Sequence, residues 1–342
     1  MKMLDSNKAK RVIAGFSRAR VLVIGDLILD QFIWGDVSRI SPEAPVPVVW
    51  VKRESFMPGG ASNVANNLRS LGAEVHVVGV IGDDEHGAIL RGELDQKGMI
   101  TRGIISDGSR PTILKTRVVA QHQQVVRIDR EKLDHLDGNV LDRMTAYVRE
   151  VIDDVDAIII EDYGKGLITS ELLKKIVPLA RRKQKILAVD PKEEHFNYYK
   201  GATVITPNNH EAARAVGFAI KDADSLQKAG ERLLRKLDCA IALITLGENG
   251  MAVFQKGRPM RQIPTVAQEV FDVSGAGDTV IASYTLSMVA GADPVQAAYI
   301  ANCAAGIVVG KIGIAVVEQG ELVKRIRREL AKRNHPEKGR GL

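Results

Sequence analysis

The chain has 342 residues, 45% apolar and 26% charged, enough apolar content for a large core in one large domain or two modest ones. Its formal charge of +6 lies partly at the two ends, and no interleaved basic and aromatic pattern marks nucleic-acid binding. No basic-then-apolar leader and no apolar run of membrane-spanning length occurs, so no membrane contact and a cytoplasmic location are expected, and Cys239 and Cys303 read as core thiols.

In chain order, the first strand signal is Val21 to Ile24, followed by Gly25-Asp26-Leu27-Ile28-Leu29-Asp30. An aspartate after a strand is ordinarily a turn or cap residue. Residues 33–51 then carry Trp34, Pro42, Pro45 and Pro47 among Val46, Val48, Val49 and Trp50, which predicts edge strands, because proline cannot donate to a central ladder. Alternation puts Val46, Val48 and Trp50 on one face and Pro47, Val49 and Val51 on the other. Pro58-Gly59-Gly60-Ala61-Ser62-Asn63-Val64-Ala65 opens a helix whose apolar residues Ala61, Val64, Ala65 and Leu68 recur at helical spacing. After a strand at Val75 to Val80, Thr112 to Ile128 form a hairpin pattern with its turn at Gln121 to Gln124. Segments 33–51 and 112–130 are expected to build a small β lid inserted twice into the core, and its two apolar faces call for a partner, such as the lid of a second subunit.

The alternation continues with a helix through Leu141, Met144, Val148 and Val151 and a strand at Ala157 to Ile160 that ends in Glu161-Asp162-Tyr163-Gly164-Lys165-Gly166-Leu167. Strands at Ile186 to Val189 and Thr203 to Ile205 end in Asp190-Pro191-Lys192 and Thr206-Pro207-Asn208-Asn209-His210-Glu211. Taken alone, Asn208 and Glu211 read as a helix N-cap with its capping-box acid. A helix through Leu226, Leu233 and Leu237 leads to a strand at Ala240 to Ile244, the turn Thr245-Leu246-Gly247-Glu248-Asn249-Gly250 and a short strand at Met251 to Phe254. This rhythm predicts an α/β fold, a mostly parallel sheet with helices on both faces. One domain spans 1–342, with 333–342 as a flexible tail.

The sharpest signal is Asp272-Val273-Ser274-Gly275-Ala276-Gly277-Asp278-Thr279, which runs into the helical pattern Val280, Ile281, Tyr284 and Met288. Gly275, Ala276 and Gly277 let backbone N–H groups approach a phosphate where the helix dipole favours negative charge. Asp278 beside them can accept the proton of an attacking hydroxyl. In isolation, the same residues make a tight turn and an acid at a helix N-terminus.

The block 272–279 resembles the C-terminal signature of the pfkB, or ribokinase-like, carbohydrate kinases, and other marks of that family stand in order along residues 10–330. The resemblance implies a ribokinase-like fold, ATP and Mg2+, and Asp278 as the catalytic base beside the Gly275, Ala276 and Gly277 anion loop. It places Asp30, Gly59, Gly60 and Asn63 on the sugar. It gives Asn208 and Glu211 a part in ordering the metal and phosphates, Glu211 through water, and it sets Thr245, Gly247, Gly250 and Asn302 around the nucleotide. A monovalent cation near the Asp272 loop is a further option, as in some relatives.

Arg39, Lys115, Arg117, Arg127 and Arg130 lie in or near the expected lid, and aromatic residues are only 4% of the chain, so a phosphorylated sugar suits the site better than a stacked base. Singly, each cation is an edge charge that deters aggregation. The Glu161 loop, Arg39 to Pro47 and Asp190-Pro191-Lys192 are similar to the branch of the family acting on D-glycero-D-manno-heptose 7-phosphate. That likeness implies phosphorylation at O1 to heptose 1,7-bisphosphate, on the route to ADP- or GDP-heptose and lipopolysaccharide core. Asp162, Lys165, Arg117 and Arg130 would then serve the substrate, while Lys192 meets a phosphate or simply pairs with Glu193 or Glu194. In many bacteria this kinase is fused to a nucleotidyltransferase with an H-x-G-H signature; none is present here, so a separate transferase is expected to act next. A fructose- or tagatose-phosphate kinase, or a non-catalytic sugar-phosphate sensor, are the alternatives.

Overall fold

The β-branched runs of the sequence become neighbours in one sheet. A computed structural model describes residues 4–334, apart from His122, His135, Gln268 and Ile312. Helix α1 (Ser6–Ala14) leads into β1 (Arg20–Gly25) and β2 (Leu27–Ile40). Next come β3 (Pro47–Gly60), α2 (Ala61–Ser70), β4 (Glu74–Gly82), α3 (Glu85–Gln96), β5 (Ile100–Asp107), β6 (Ile113–Ala120) and β7 (Gln123–Arg130). The chain continues through α4 (Gly138–Val151), β8 (Ala157–Glu161), α5 (Ser170–Arg182), β9 (Ile186–Asp190), β10 (Val204–Ile205), α6 (Asn209–Val216) and α7 (Ala223–Leu237). It closes with β11 (Ile241–Thr245), β12 (Met251–Gln255), β13 (Arg261–Ile263), α8 (Ala276–Val289), α9 (Pro294–Val308) and α10 (Gln319–Asn334).

The larger sheet has the order β13-β12-β11-β10-β9-β8-β1-β4-β5, parallel from β11 to β5 and antiparallel at β12 and β13. Its central strands are buried on both faces. Val21 and Val23 join the core that includes α2, α8 and α9, whereas Leu22 and Ile24 join the core that includes α4, α5 and α7. A continuous apolar run is what a strand covered by helices on each side requires. After β1 the chain builds β4 and β5 on one side and returns to build β8 to β11 on the other. The carboxyl ends of β1 and β8 therefore sit where the strand order reverses, the place where open α/β sheets bind ligands.

The fold class is α/β, with a second, smaller sheet of order β3-β2-β6-β7. The smaller sheet is wider than the expected 33–51 and 112–130 segments, because β2 starts at Leu27 and β3 runs on to Gly60. Only part of residues 33–51 is edge strand. Pro42 and Pro45 lie in the connection and Pro47 opens the edge strand β3, while β2 has no proline and donates to both neighbours. The hairpin turn is tighter than Gln121 to Gln124, since β7 resumes at Gln123; His122 lies outside the described residues. Strands β5 and β13 escape the sequence periodicity, β5 because Arg102 and Gly103 interrupt its apolar run and β13 because it is three residues long. Cys239 is buried in the turn before β11 rather than in the strand, and burial pushes its thiol up to about 12. Of the expected tail, residues 333 and 334 still belong to α10, and 335–342 lie outside the described residues. Among the described residues, no helix is long and apolar enough to cross a membrane.

Candidate active site

The 272–278 loop enters α8 through Gly275, whose φ of +75° is a left-handed turn that a side chain would strain. A Cβ there would also stand 2.8 Å from Asn63 Nδ2, so the small residue allows α2 and α8 to close on each other. Asp278, in the first turn of α8, is buried. Its Oδ2 accepts from Asn63 Nδ2 at 2.6 Å and its Oδ1 from the Tyr163 hydroxyl at 3.0 Å. Burial pushes the carboxyl up to about 6, the two donors pull it back, and the charge of Asp30 adds to the rise. Two lone-pair positions remain on this carboxylate for a substrate hydroxyl.

Two cavities meet at this loop. The first, of about 170 Å³, is lined by Asp30, Gly59, Gly60, Asn63, Lys115, Arg117, Tyr163, Gly275 and Asp278. Its wall is the smaller sheet, where Asp30 on β2 binds Arg117 on β6 and Arg117 lies over the Phe32 ring, 5.3 Å from its centroid. A Cβ on Gly59 would stand 2.0 Å from Asp30 Oδ2, so glycine there leaves the carboxylate its place. The second cavity, of about 420 Å³, is lined by Thr245, Gly247, Gly250, Val273, Ala276, Gly277 and Asn302 and by apolar residues including Val280 and Val309. Asn302 is oriented by a 2.6 Å bond from its Nδ2 to Pro264 O. A polar cavity and a larger, more apolar one, joined at a helix N-terminus with a carboxylate between them, suit a hydroxyl acceptor and a nucleotide donor.

A family model for pfkB family carbohydrate kinases matches residues 18–319. The chain belongs to the pfkB family of carbohydrate kinases. It is 47% identical over 307 residues to the bifunctional protein HldE of Desulfatibacillum aliphaticivorans, covering 90% of this chain and 63% of that protein. It is 45% identical over 320 residues to HldE of Geobacter sulfurreducens, covering 94% and 65%. The chain thus spans under two-thirds of the length of these curated relatives. Among solved structures, phosphofructokinase-2 from Escherichia coli in complex with potassium is similar in fold, with a TM-score of 0.77 at 17% identity, covering 92% of this chain and 99% of that one. Arabidopsis thaliana ribokinase complexed with ribose and ATP gives 0.72 at 19% identity, covering 90% and 99%. In activity class this is an ATP-dependent sugar kinase.

In this pfkB kinase the sheet register builds a third feature. Gly25 pairs with Glu161 and Glu161 with Asp190, so three adjacent strands end together. Carboxylate oxygens of Glu161, Asp190 and Asp278 lie within 4.8 Å of one another. Burial first, and then their mutual charges, hold Glu161 well above the usual carboxylate range; burial and the charges of Glu211 and Asp278 do the same for Asp190. Glu161 Oε2 is buried without a hydrogen-bond partner among the described residues. Crowded, under-satisfied carboxylates are donors for a hard divalent cation, so the set fits magnesium.

Several residues named from the sequence stand elsewhere. Asp162 does not line either cavity: it is buried and accepts from Gly164 N at 2.8 Å and the Tyr199 hydroxyl at 2.6 Å, with His195 Nδ1 at 2.7 Å from it. Lys165 turns to Glu131, 2.7 Å away. Arg130 is exposed at the end of β7, outside the first cavity. Lys192 stands 3.9 Å from Glu194, its stem packed beside Gly164. Asn208 caps α6, accepting from His210 N and Glu211 N, while Glu211 accepts from Asn208 N at 2.8 Å; the capping box is made, and the Glu211 charge acts on Asp190 from there.

Four other residues gain a place that the motifs alone did not assign. Glu161 and Asp190 are the charged ends of buried strands, a signal that the sequence does carry. Tyr163 reaches Asp278, and its loop is held by Asp26, a buried carboxylate that accepts from the N–H groups of Tyr163, Lys165 and Leu167 at 2.9, 3.1 and 3.3 Å. Burial and the charge of Asp162 push Asp26 up to about 6 against those bonds.

Proposed function

We propose that this kinase transfers the γ-phosphoryl group of ATP to O1 of D-glycero-β-D-manno-heptose 7-phosphate, giving the 1,7-bisphosphate and ADP. The observation that carries the reading is the position of Asp278 where the polar cavity meets the larger apolar one. The sugar would occupy the cavity walled by Asp30, Gly59, Gly60, Asn63 and Arg117, with ATP in that of Thr245, Gly247, Gly250 and Asn302. Asp278 takes the proton of the sugar hydroxyl as its oxygen bonds to phosphorus, the bond from phosphorus to the ADP oxygen breaks, and ADP leaves with that electron pair. The N–H groups around Gly275, Ala276 and Gly277 offer donors to the transferring phosphoryl oxygens. Glu161 and Asp190 would hold magnesium, which would supply charge neutralisation for the phosphates, and Glu211 would act on it through water.

The choice of sugar rests on the Glu161 to Leu167, Arg39 to Pro47 and Asp190 to Lys192 motifs, the cations of the polar cavity and the likeness to HldE. We also propose that the smaller sheet is a lid that pairs with that of a second copy, because Ile40, Trp50, Val51 and Ile128 on it are exposed.

The test is ADP release by the purified protein with magnesium-ATP and, in turn, the heptose 7-phosphate, fructose 6-phosphate, tagatose 6-phosphate, ribose and adenosine. Turnover confined to the heptose phosphate is the expected result. Turnover on another sugar overturns the substrate, and ligand binding with no turnover at all returns the sensor reading.

A further inference from the structure

Among the described residues, Lys115 is a cation of the polar cavity that forms no ion pair and no hydrogen bond. Lys115 on β6 stands in register between two aspartates, Asp30 on β2 and Asp129 on β7. Directly opposite residues share a sheet face, so the ammonium could pair with either one. Both are already taken: Asp30 binds Arg117, and Asp129 binds Arg127 through Nε at 2.9 Å and Nη2 at 3.1 Å. Lys165, the other nearby cation, pairs with Glu131. Among the described residues, the Lys115 ammonium has no carboxylate partner and no hydrogen-bond acceptor. It lies 5.3 Å from the centroid of the Tyr163 ring, a contact that satisfies none of its three N–H donors.

A half-buried ammonium with no acceptor among the described residues keeps its three donors available to an anionic ligand. The ammonium lines the cavity beside the proposed base. Burial pushes its pKa below the usual lysine value, against the pull of Asp30 and Asp129. The Tyr163 side chain spans the space between: one face meets Lys115, and its hydroxyl meets Asp278 at 3.0 Å. A substrate whose hydroxyl is presented to Asp278 and whose far end carries an anion would place that anion at Lys115.

We infer that Lys115 is the specificity residue for the acceptor's own phosphate, the group that separates a phosphorylated sugar from a free one. This rests on the sugar-phosphate reading above and assigns a residue to it. Arg117, held by Asp30 and stacked on Phe32, is a wall of the cavity whose charge is already matched.

The experiment compares wild type, Lys115→Met, Lys115→Gln and Lys115→Arg on D-glycero-D-manno-heptose 7-phosphate, on the unphosphorylated heptose and on ATP. Loss of charge should lower kcat/KM for the phosphorylated sugar about 100-fold through KM, leave the free sugar within about twofold, and leave the KM for ATP unchanged. Lys115→Arg should recover to within about tenfold of wild type, and inorganic phosphate should compete with the sugar in wild type but not in Lys115→Met. Two neutral variants are used so that poor folding of one is recognised from the melting midpoint and ATP binding of the other. Equal losses on both sugars, or none, would overturn the assignment while the sugar-phosphate reading stands. If wild type turns over another sugar phosphate, the same comparison is made with that sugar; if it accepts only free sugars, both the reading and the assignment fall.

Discussion

Asn63 donates from Nδ2 to Oδ2 of Asp278 at 2.6 Å across 215 residues of sequence. One turn further along α2, Asn67 accepts from the Thr279 hydroxyl at 2.9 Å and donates to Asn63 O at 3.0 Å. Two buried asparagines thus clamp the first turn of α8, and the carboxylate can point into the polar cavity only while α2 is packed against it. Buried polar groups of this kind are costly when a partner is missing, so each has a measurable consequence.

Replacing Asp278 with Asn removes the proposed proton acceptor and keeps the shape. Turnover should fall about 10²- to 10⁴-fold. ATP affinity, measured by titration calorimetry, should stay within a few-fold, since the cavity proposed for the nucleotide is lined by other side chains. Wild-type turnover in this variant would remove Asp278 from its role.

The rate should depend on pH through the same carboxyl. With Asp278 pushed up to about 6 and its unfolded value near 3.8, the base is increasingly protonated below about pH 6 and kcat/KM falls there. Tyr163→Phe deletes a donor that favours the charged form, so the acid limb should move to higher pH, by about one pH unit or less for a bond of ordinary strength. The tyrosine remains a donor throughout, because burial and the nearby carboxylates raise its own pKa well above 10. An unmoved limb would show that another group sets it.

Glu161→Gln should trade activity for stability. The Glu161 carboxyl is raised well above its usual range, chiefly by burial and then by Asp190 and Asp278. A raised carboxyl favours the folded state at low pH, where it is protonated, and that stability is lost as pH rises toward the folded value. The variant should therefore melt higher than wild type at pH 8, show little difference at pH 4.5, and turn over more slowly with magnesium-ATP. A lower melting midpoint at pH 8 would contradict a strained acidic cluster.

A methyl group at Gly59 would meet Asp30 Oδ2 at 2.0 Å. Gly59→Ala should displace the Asp30 carboxylate and with it Arg117, raising the KM for sugar at least about tenfold with that for ATP little changed. Equal effects on both substrates would place Gly59 in general packing.

Trp50 is 69% exposed on β3, beside the exposed Val51 on the opposite face of the strand. If a second copy covers this sheet, light scattering should give a dimer that Trp50→Glu weakens by at least about tenfold in dissociation constant, since buried aromatic anchors dominate such contacts. A monomeric wild type at high concentration would defeat the pairing.

How much of this was legible in the chain depends on the range of each interaction. Helices α2, α4, α7 and α8 and strands β1, β4, β8, β9 and β11 announce themselves by apolar period, because burial on one or both faces is written locally. The residues around the two cavities stand in short motifs, since a glycine loop at a helix start has a sequence signature. The partners of the cations do not. Lys115, Arg117, Lys165 and Arg130 look alike as basic residues of a lid and its approaches, but among the described residues pairing leaves one matched to Asp30, one to Glu131, one exposed and one unpaired in the cavity.

The sequence by itself determined the α/β class, the loop that opens α8 and the acid in its first turn, because hydrophobic period, glycine and helix-end chemistry act over a few residues. Only the tertiary structure decided that Asp162 is a buried anchor for Gly164 and Tyr199, that Glu161 and Asp190 face each other at strand ends, and that Tyr163 and Asn63 converge on Asp278. Strand register and helix packing bring together charges more than a hundred residues apart. Coulomb and hydrogen-bond terms depend on those distances and on burial, and neither is written in local sequence.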